Sequence, residues 1–538
     1  MMNTPLLLSS MIERAEQYFP GKQVISRTLG GIQRFTYKEI AERTRRLASA
    51  LEKLGMQKGD KVGTFAWNHH RHLEAYFAVP CRGALLHMVN IRLSPEHLVY
   101  VINHAEDKIL LVDEDLLPLI ERIQEQLETV ECYVIMSDQK EVPNTTLPNA
   151  FSYEALLDVG DPTMPFLHDL DENTPAGMCY TSATTGMPKG VIYTHRSLVL
   201  HTLSLGLADS FGIREEDVIM PVVPMFHVNA WGMPYAGTWF GATQVYPGPG
   251  LSPAVIAQLI EEEKVTVTAG VPTIWLGLLK ELEENPRDVS SIRGLVSGGS
   301  AAPKGMIRAF IEKHQIPFYQ GYGMTETSPL VSLSKLTTTR AEKEKDQAID
   351  IIATQGLVVP GLEVRVVNED GDVPRDSKTM GELIIRGPWI ADSYYRDDRS
   401  KNTFKDGWLY TGDIAVQDEH GYIQITDRTK DLIKSGGEWI SSVNLENALM
   451  SHEAIFEAAV IAVPHEKWQE RPVACIVLKD AYKQKITKEE IIDYLKPQFA
   501  KWWLPDEIIF MDEIPKTSVG KFLKRELREQ LKDFFVKP

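Results

Sequence analysis

Cysteine is scarce and scattered in this chain: 538 residues hold four, Cys81, Cys132, Cys179 and Cys475, with no C-x-x-C pair. That spacing suits neither a disulfide framework nor a zinc ribbon and points to a reducing, cytoplasmic setting. Basic charge is also short, with 57 Lys and Arg against 74 Asp and Glu, a net charge of −17. A general nucleic-acid binder is thereby excluded, because phosphate recognition is carried by basic surface. An export signal is not expected, since Leu6-Leu7-Leu8 is a brief apolar patch before Glu13 and Arg14. Charge of either sign is missing from Val218 to Ile260, yet Pro221, Pro224, Pro234, Pro247, Pro249 and Pro253 break up the stretch. No unbroken apolar run of about 20 residues remains to span a bilayer. The stretch reads as buried core around a cavity, and peripheral membrane contact stays open.

What is present is ordinary for a soluble globular protein: 43% hydrophobic and 24% charged residues. At roughly 150 residues per domain, the length predicts two to four packed units. The first third alternates helix and strand signals. Thr36-Tyr37-Lys38-Glu39 is a capping box ahead of Ile40, Leu47, Leu51 and Leu54 at helical spacing, with Gly55 as the stop. Ser94-Pro95-Glu96 opens another helix, and Lys108 to Val112 reads as a strand. Residues 138–174, rich in Pro, Asn, Asp and Thr, read as a long connection, and 337–346 as a solvated loop or helix face. Near the C-terminus, Ala458 to Val463 and Val473 to Leu478 predict strands, Thr487 caps a helix, and Lys521 to Phe535 predicts a final helix. The last hundred or so residues form an α+β unit of domain size.

The sharpest local signal is Thr181-Ser182-Ala183-Thr184-Thr185-Gly186-Met187-Pro188-Lys189-Gly190. Small hydroxyl residues, glycine and one lysine suit a loop wrapped around a polyphosphate. It lacks the G-K-[ST] of a Walker A loop. This segment resembles the phosphate loop of the adenylate-forming superfamily of acyl-CoA synthetases, nonribosomal adenylation domains and luciferases. Further resemblances follow in that family's order: Gly298 to Pro303, Gln320 to Thr327, Trp408 to Asp413, Asp427 to Asp431, and Pro515 to Lys521. They cover nearly the whole chain.

The resemblance implies an α/β fold of the luciferase-like type, with a large multi-subdomain N-terminal domain (1–427), a hinge (428–432) and a small mobile α+β C-terminal domain (433–538). It implies two half-reactions with ATP, Mg2+ and CoA: adenylation of a carboxylate, then thioester formation. Thr181 and Glu326 would be the metal-side residues. Ser182, Thr184, Thr185, Gly186, Lys189, Ser300, Gln320, Gly321, Tyr322 and Thr325 would hold the nucleotide, with Tyr322 against adenine. Asp413 and Arg428 would grip the ribose, and Lys430 occupies the hinge. Lys521 would bridge the substrate carboxylate and the α-phosphate, within a basic island with Lys516, Lys524 and Arg525. After domain rotation, Lys434, Gly436 and Gly437 would face the thiol of CoA, while Trp439 contacts nucleotide.

The acyl pocket is expected around Val223, His227, Val228, Trp231 and Gly298. From Pro221 to Gly232 there is no acidic residue, so an amino-acid substrate with its ammonium is disfavoured. The apolar character favours a fatty acid, and the segment looks most like medium- and long-chain fatty acyl-CoA synthetases. His227 would sit where the acyl, adenylate and thiol sites join. Two enzymatic alternatives are an acyl-AMP ligase loading a carrier protein and an aryl-acid CoA ligase. A third, of another class, is an impaired nucleotide or acyl-CoA binding protein, because Ala183 stands where the family usually has glycine. A homodimer is suggested by the long-chain relatives only.

Overall fold

The computed structural model describes residues 1–181, 187–435, 438–483, 485–516, 522–532 and 534–535. Ser182, Ala183, Thr184, Thr185, Gly186, Gly436, Gly437 and Lys521 lie outside them. Among the described residues the strands form four sheets. The first is parallel from Ala150–Ser152 through Cys132–Met136, Asp107–Asp113, Lys61–Phe65 and Leu85–Met88 to Pro175–Tyr180, and closes antiparallel on Gly190–Thr194. Its central strands are continuous apolar runs, as helices on both faces require: Ile109 to Val112 are all at most 1% exposed. Strand Pro175–Tyr180 thus lies beside the edge strand Gly190–Thr194, and residues 182–186 fall between the two in sequence.

A nine-stranded sheet runs parallel through Phe318–Gly323, Gly294–Ser297, Val267–Gly270, Val218–Pro221, Thr243–Tyr246 and Gln23–Thr28, with antiparallel strands at both edges. A six-stranded antiparallel sheet includes Gly381–Arg386, Trp408–Gln417 and Ile423–Arg428, and its register sets Asp413 opposite Arg428. The fourth sheet, of five strands, begins at Ile433–Ser435. Past a register shift at its start, alternation along Ile455–His465 sends Ala458 and Val460 to one core and Ala459, Ile461 and Val463 to the other. Helices Ser442–Met450 and Lys488–Leu495 cover the first face, and Leu527 of helix Lys524–Leu531 covers the second.

The capping signals at Thr36, Ser94 and Thr487 are present as expected. Two local expectations are corrected. Residues 138–174 are not a plain connection: Ser152 caps a helix, Tyr153–Val159, after a short strand. Asp138 and Glu154 pair with Arg71, and Glu154 and Glu74 with Arg43. Polar composition had hidden a segment anchored by ions rather than by apolar periodicity. Residues 337–346 carry the solvated helix face that was one of the two readings, Thr338–Lys343, exposed except for Arg340, which is buried against Glu344 and Asp418. The final helix is shorter than expected, Lys524–Leu531.

The uncharged stretch is core, as read, and contains an unusual turn. Val228, Asn229, Ala230 and Trp231 all have positive φ, between 46° and 56°, before Gly232 at 77°. Asn68 holds the approach to this turn, donating to the carbonyls of Pro221 and Val223 at 3.0 and 2.8 Å and accepting from the Met225 N–H at 2.7 Å. No described helix is long and apolar enough to cross a membrane.

Candidate active site

A cavity of about 700 Å3 opens where the nine-stranded sheet, the six-stranded sheet and the helix Ser442–Met450 meet. It gathers most of the expected site residues: Thr181, Lys189, His227, Val228, Trp231, Gly298, Ser300, Gln320, Gly321, Tyr322, Thr325, Glu326, Asp413, Arg428 and Lys430. Three described candidates are not among its lining. Val223 is 2% exposed in the core, with its N–H on the Ala269 carbonyl and its own carbonyl on Asn68. It shapes the wall through the backbone and presents no side chain to an acyl group. Lys434 and Trp439 are directly paired on neighbouring strands of the last sheet, the ammonium 5.4 Å from the indole centroid, and both are exposed.

The corner expected to hold the ribose is assembled by three strands. Tyr322 donates its hydroxyl to Asp413 at 2.6 Å, and Arg428 Nε stands 3.5 Å from the other oxygen of that carboxylate. Burial and the neighbouring Asp413 push the Tyr322 phenol well up, so it stays a donor. Gln320 staples the adenine-side loop, accepting from the Ala302 N–H at 3.0 Å and donating to the Ser300 carbonyl at 3.2 Å. A side chain at Gly298 would meet the Trp231 indole at 2.9 Å and the Gly321 carbonyl at 3.1 Å, so glycine is required for the indole to lie there.

At the phosphate side, Thr181 and Lys189 close the base of the loop through Thr181 N–H to Lys189 O at 2.9 Å and Lys189 N–H to Thr181 Oγ1 at 3.2 Å. Burial lowers the pKa of Lys189, against the pull of Glu326. Glu326 is 4% exposed and accepts from Tyr394 at 2.6 Å. As a hard oxygen donor beside a threonine hydroxyl, it fits an ion such as Mg2+ that takes few protein ligands and keeps waters and phosphate oxygens. Among the described residues, no group of three or more His, Cys, Asp or Glu forms a protein cage for a metal.

Beside the ribose corner lies a charged cluster that the sequence did not announce. Lys524 pairs with Glu446 at 2.6 Å and donates to Ser442 Oγ at 2.6 Å, while Ser442 also donates N–H and hydroxyl to Asp427 at 2.6 and 2.7 Å. Arg528 pairs with Asp431 at 2.8 Å. Burial pushes the Glu446 carboxyl up to about 7, against Lys524. Burial alone would lower Lys524, but Glu446, Asp427 and Asp431 outweigh it and raise it. Two members of the expected basic island are therefore neutralised in pairs, Lys516 on Glu457 at 2.9 Å and Lys524 on Glu446. Tyr394 was also missed, because its partners Lys189 and Glu326 lie far away in sequence.

A nucleotide-sized cavity at the junction of two α/β layers and a small C-terminal unit is the site of an adenylate-forming enzyme. The chain belongs to the AMP-binding enzyme family, which residues 12–395 match, with residues 444–521 matching the AMP-binding enzyme C-terminal domain. It is 49% identical to a long-chain-fatty-acid–CoA ligase of Thermus thermophilus, over 99% of this chain and 97% of that protein. It is 43% identical to a 3-methylmercaptopropionyl-CoA ligase of Ruegeria lacuscaerulensis, over 99% and 98%. A medium-chain-fatty-acid–CoA ligase of Ectopseudomonas oleovorans is 41% identical, over 100% and 98%. The fold is similar to the crystal structure of an anthranilate CoA ligase in complex with anthranoyl-AMP, with a TM-score of 0.89 and 25% identity over 100% of this chain and 99% of that one.

Proposed function

We propose that this protein is an ATP-dependent fatty acyl-CoA synthetase, converting a medium- or long-chain fatty acid, ATP and CoA to acyl-CoA, AMP and pyrophosphate. The observation that carries this reading is one cavity holding both an apolar wall, with Val228, Trp231, Val271 and Leu330, and the charged groups Lys189, Glu326, Asp413 and Arg428. An acyl chain against that wall gains about 0.8 kcal/mol per buried methylene. In the first half-reaction a carboxylate oxygen attacks the α-phosphorus and pyrophosphate leaves; in the second the CoA thiolate attacks the acyl carbon and AMP leaves.

Asp413 and Arg428 fix the ribose, Gln320 holds the adenine-side loop, and Lys189 with residues 182–186 embraces the phosphates. Lys521 is the proposed cation between the carboxylate and the α-phosphate, where preorganised charge lowers the barrier most. Glu326 and Thr181 would hold Mg2+, which when bound neutralises phosphate charge. We assign 1–427 to the adenylation domain, 428–432 to the hinge and 433–538 to the mobile domain. Rotation about the hinge would carry Lys434, Gly436 and Gly437 to the thiol site and Trp439 to the nucleotide, with His227 at the junction. The four buried free thiols suit the cytoplasm. Peripheral membrane contact and a homodimer are compatible with this reading, and vesicle flotation and light scattering decide them.

The test is AMP release from MgATP, with and without CoA, over saturated fatty acids of increasing length, 3-(methylthio)propionate, benzoate and an amino acid. CoA-dependent turnover peaking at medium or long chain supports the reading. A maximum at 3-(methylthio)propionate or benzoate replaces the substrate class. Adenylation that CoA fails to advance points to a carrier-protein acceptor.

A further inference from the structure

Beside the short turn Thr325–Thr327 that carries Glu326, the chain between Gly381–Arg386 and the short helix Ser400–Thr403 clasps the C-terminal end of the phosphate loop. The Tyr395 N–H donates to the Gly190 carbonyl at 2.8 Å, and the Arg399 guanidinium donates to the Met187 carbonyl at 3.0 Å. Between these two ties sits Tyr394, 4% exposed, its ring edge-on to Phe404 at 5.2 Å and its N–H on Ser400 Oγ at 2.9 Å. Its hydroxyl accepts from Lys189 Nζ at 2.8 Å and donates to Glu326 Oε1 at 2.6 Å. The ammonium also lies over the ring, 4.0 Å from its centroid.

Lys189 and Glu326 attract one another, yet among the described residues they form no direct ion pair; a neutral oxygen stands between them and satisfies both. We propose that Tyr394 is a positioning residue for MgATP, a spacer that keeps the phosphate-loop lysine from neutralising the metal-side carboxylate before nucleotide and metal arrive. This rests on the function proposed above. The chemistry of the group suits the task. A phenol can accept from an ammonium and donate to a carboxylate at once, which neither phenylalanine nor a carboxylate can do. Phenylalanine at this position would keep the ring, the contact with Phe404 and the seat for the ammonium, and would remove only the oxygen. Lys189 would then close on Glu326, and MgATP would have to reopen that pair in order to bind.

The experiment is calorimetric binding of MgATP, without fatty acid or CoA, to the wild type, Tyr394→Phe, Glu326→Gln and the double variant. We expect Tyr394→Phe to weaken MgATP about tenfold in the wild-type background and less than twofold when Glu326 is already Gln, since no pair can then form. Thermal midpoints are measured alongside and should be unchanged by Tyr394→Phe. Equal weakening in both backgrounds would reduce Tyr394 to a packing residue, and undiminished binding by Tyr394→Phe would remove it altogether; either result overturns the spacer and leaves the proposed function standing. Failure of the wild type itself to bind MgATP would instead overturn the function, and the spacer with it.

Discussion

The corner proposed for the ribose and the charged cluster beside it are neighbours built on opposite plans. At the corner, Tyr322, Asp413 and Arg428 come from strands of two sheets of the large unit, and one hydrogen bond with one longer ion pair sets their geometry. In the cluster, Asp427 and Asp431 meet Ser442, Glu446, Lys524 and Arg528, whose helices belong to the last hundred residues. The first plan fixes a ligand-binding angle with few groups. The second concentrates charge where two units touch, so its stability depends on every partner remaining in place. The two are thus made from the same residue types, and the distinction lies in which part of the chain supplies them.

Four perturbations separate the two plans, beginning with the largest expected effect. Lys521→Ala should slow adenylation by about 10²–10³-fold, the scale of losing one preorganised charge at a reacting centre. Thioester formation from supplied acyl-AMP should survive, and stopped-flow measurement of each half-reaction checks this. Lys524→Met leaves Glu446 and Asp427 facing each other without their cation. It should cost about 3 kcal/mol of stability in urea unfolding and increase proteolytic cleavage near 428–432.

The third concerns pH. The Glu446 carboxyl, at about 7 in the folded chain against 4.5 ordinarily, holds its proton where the unfolded chain has released it. Stability from this group is complete below about 4.5 and is lost as pH rises through 7, by at most about 3 kcal/mol. Lys524, Asp427 and the buried Cys475 thiol face or influence this group. Glu446→Gln should flatten the fall in thermal midpoint between pH 5 and 7.5, and an unchanged slope would assign that dependence elsewhere. Last, Asp413→Asn should raise the KM for ATP about tenfold with little change in folding stability, since one charge-assisted hydrogen bond is lost at the ligand and not in the core.

These contrasts also mark what could be read in the sequence. Caps at Thr36, Ser94 and Thr487 and the alternation of Ala458 to Val463 are local signals, decided within one turn or one strand, and they were legible. Asp413 and Arg428 were legible as motif members, although only strand register brings them opposite one another. Tyr394 was not, since its two partners lie about 70 and 200 positions away and nothing near it in sequence requires them. Lys524 was read as part of a basic island because net charge along a chain carries no information about which carboxylates fold beneath it. The segment 150–159 was lost for the same reason: its anchors, Arg71 and Arg43, belong to other helices.

The left-handed turn at Val228 to Trp231 inverts an everyday rule of protein engineering. Four successive side-chain-bearing residues there hold a conformation that costs roughly 1–2 kcal/mol each, and the surrounding core must over-determine it. Glycine, which ordinarily loosens a chain, would adopt the same angles without that cost. Ala230, fully buried at φ 46°, is therefore a place where replacement by Gly should raise the thermal midpoint, by about 1 kcal/mol of added stability. Asn229 and Ala230 are fully buried and already carry the β-carbon that this handedness penalises, so behind the cavity wall the smallest residue is the stiffening one, while added bulk is opposed by packing.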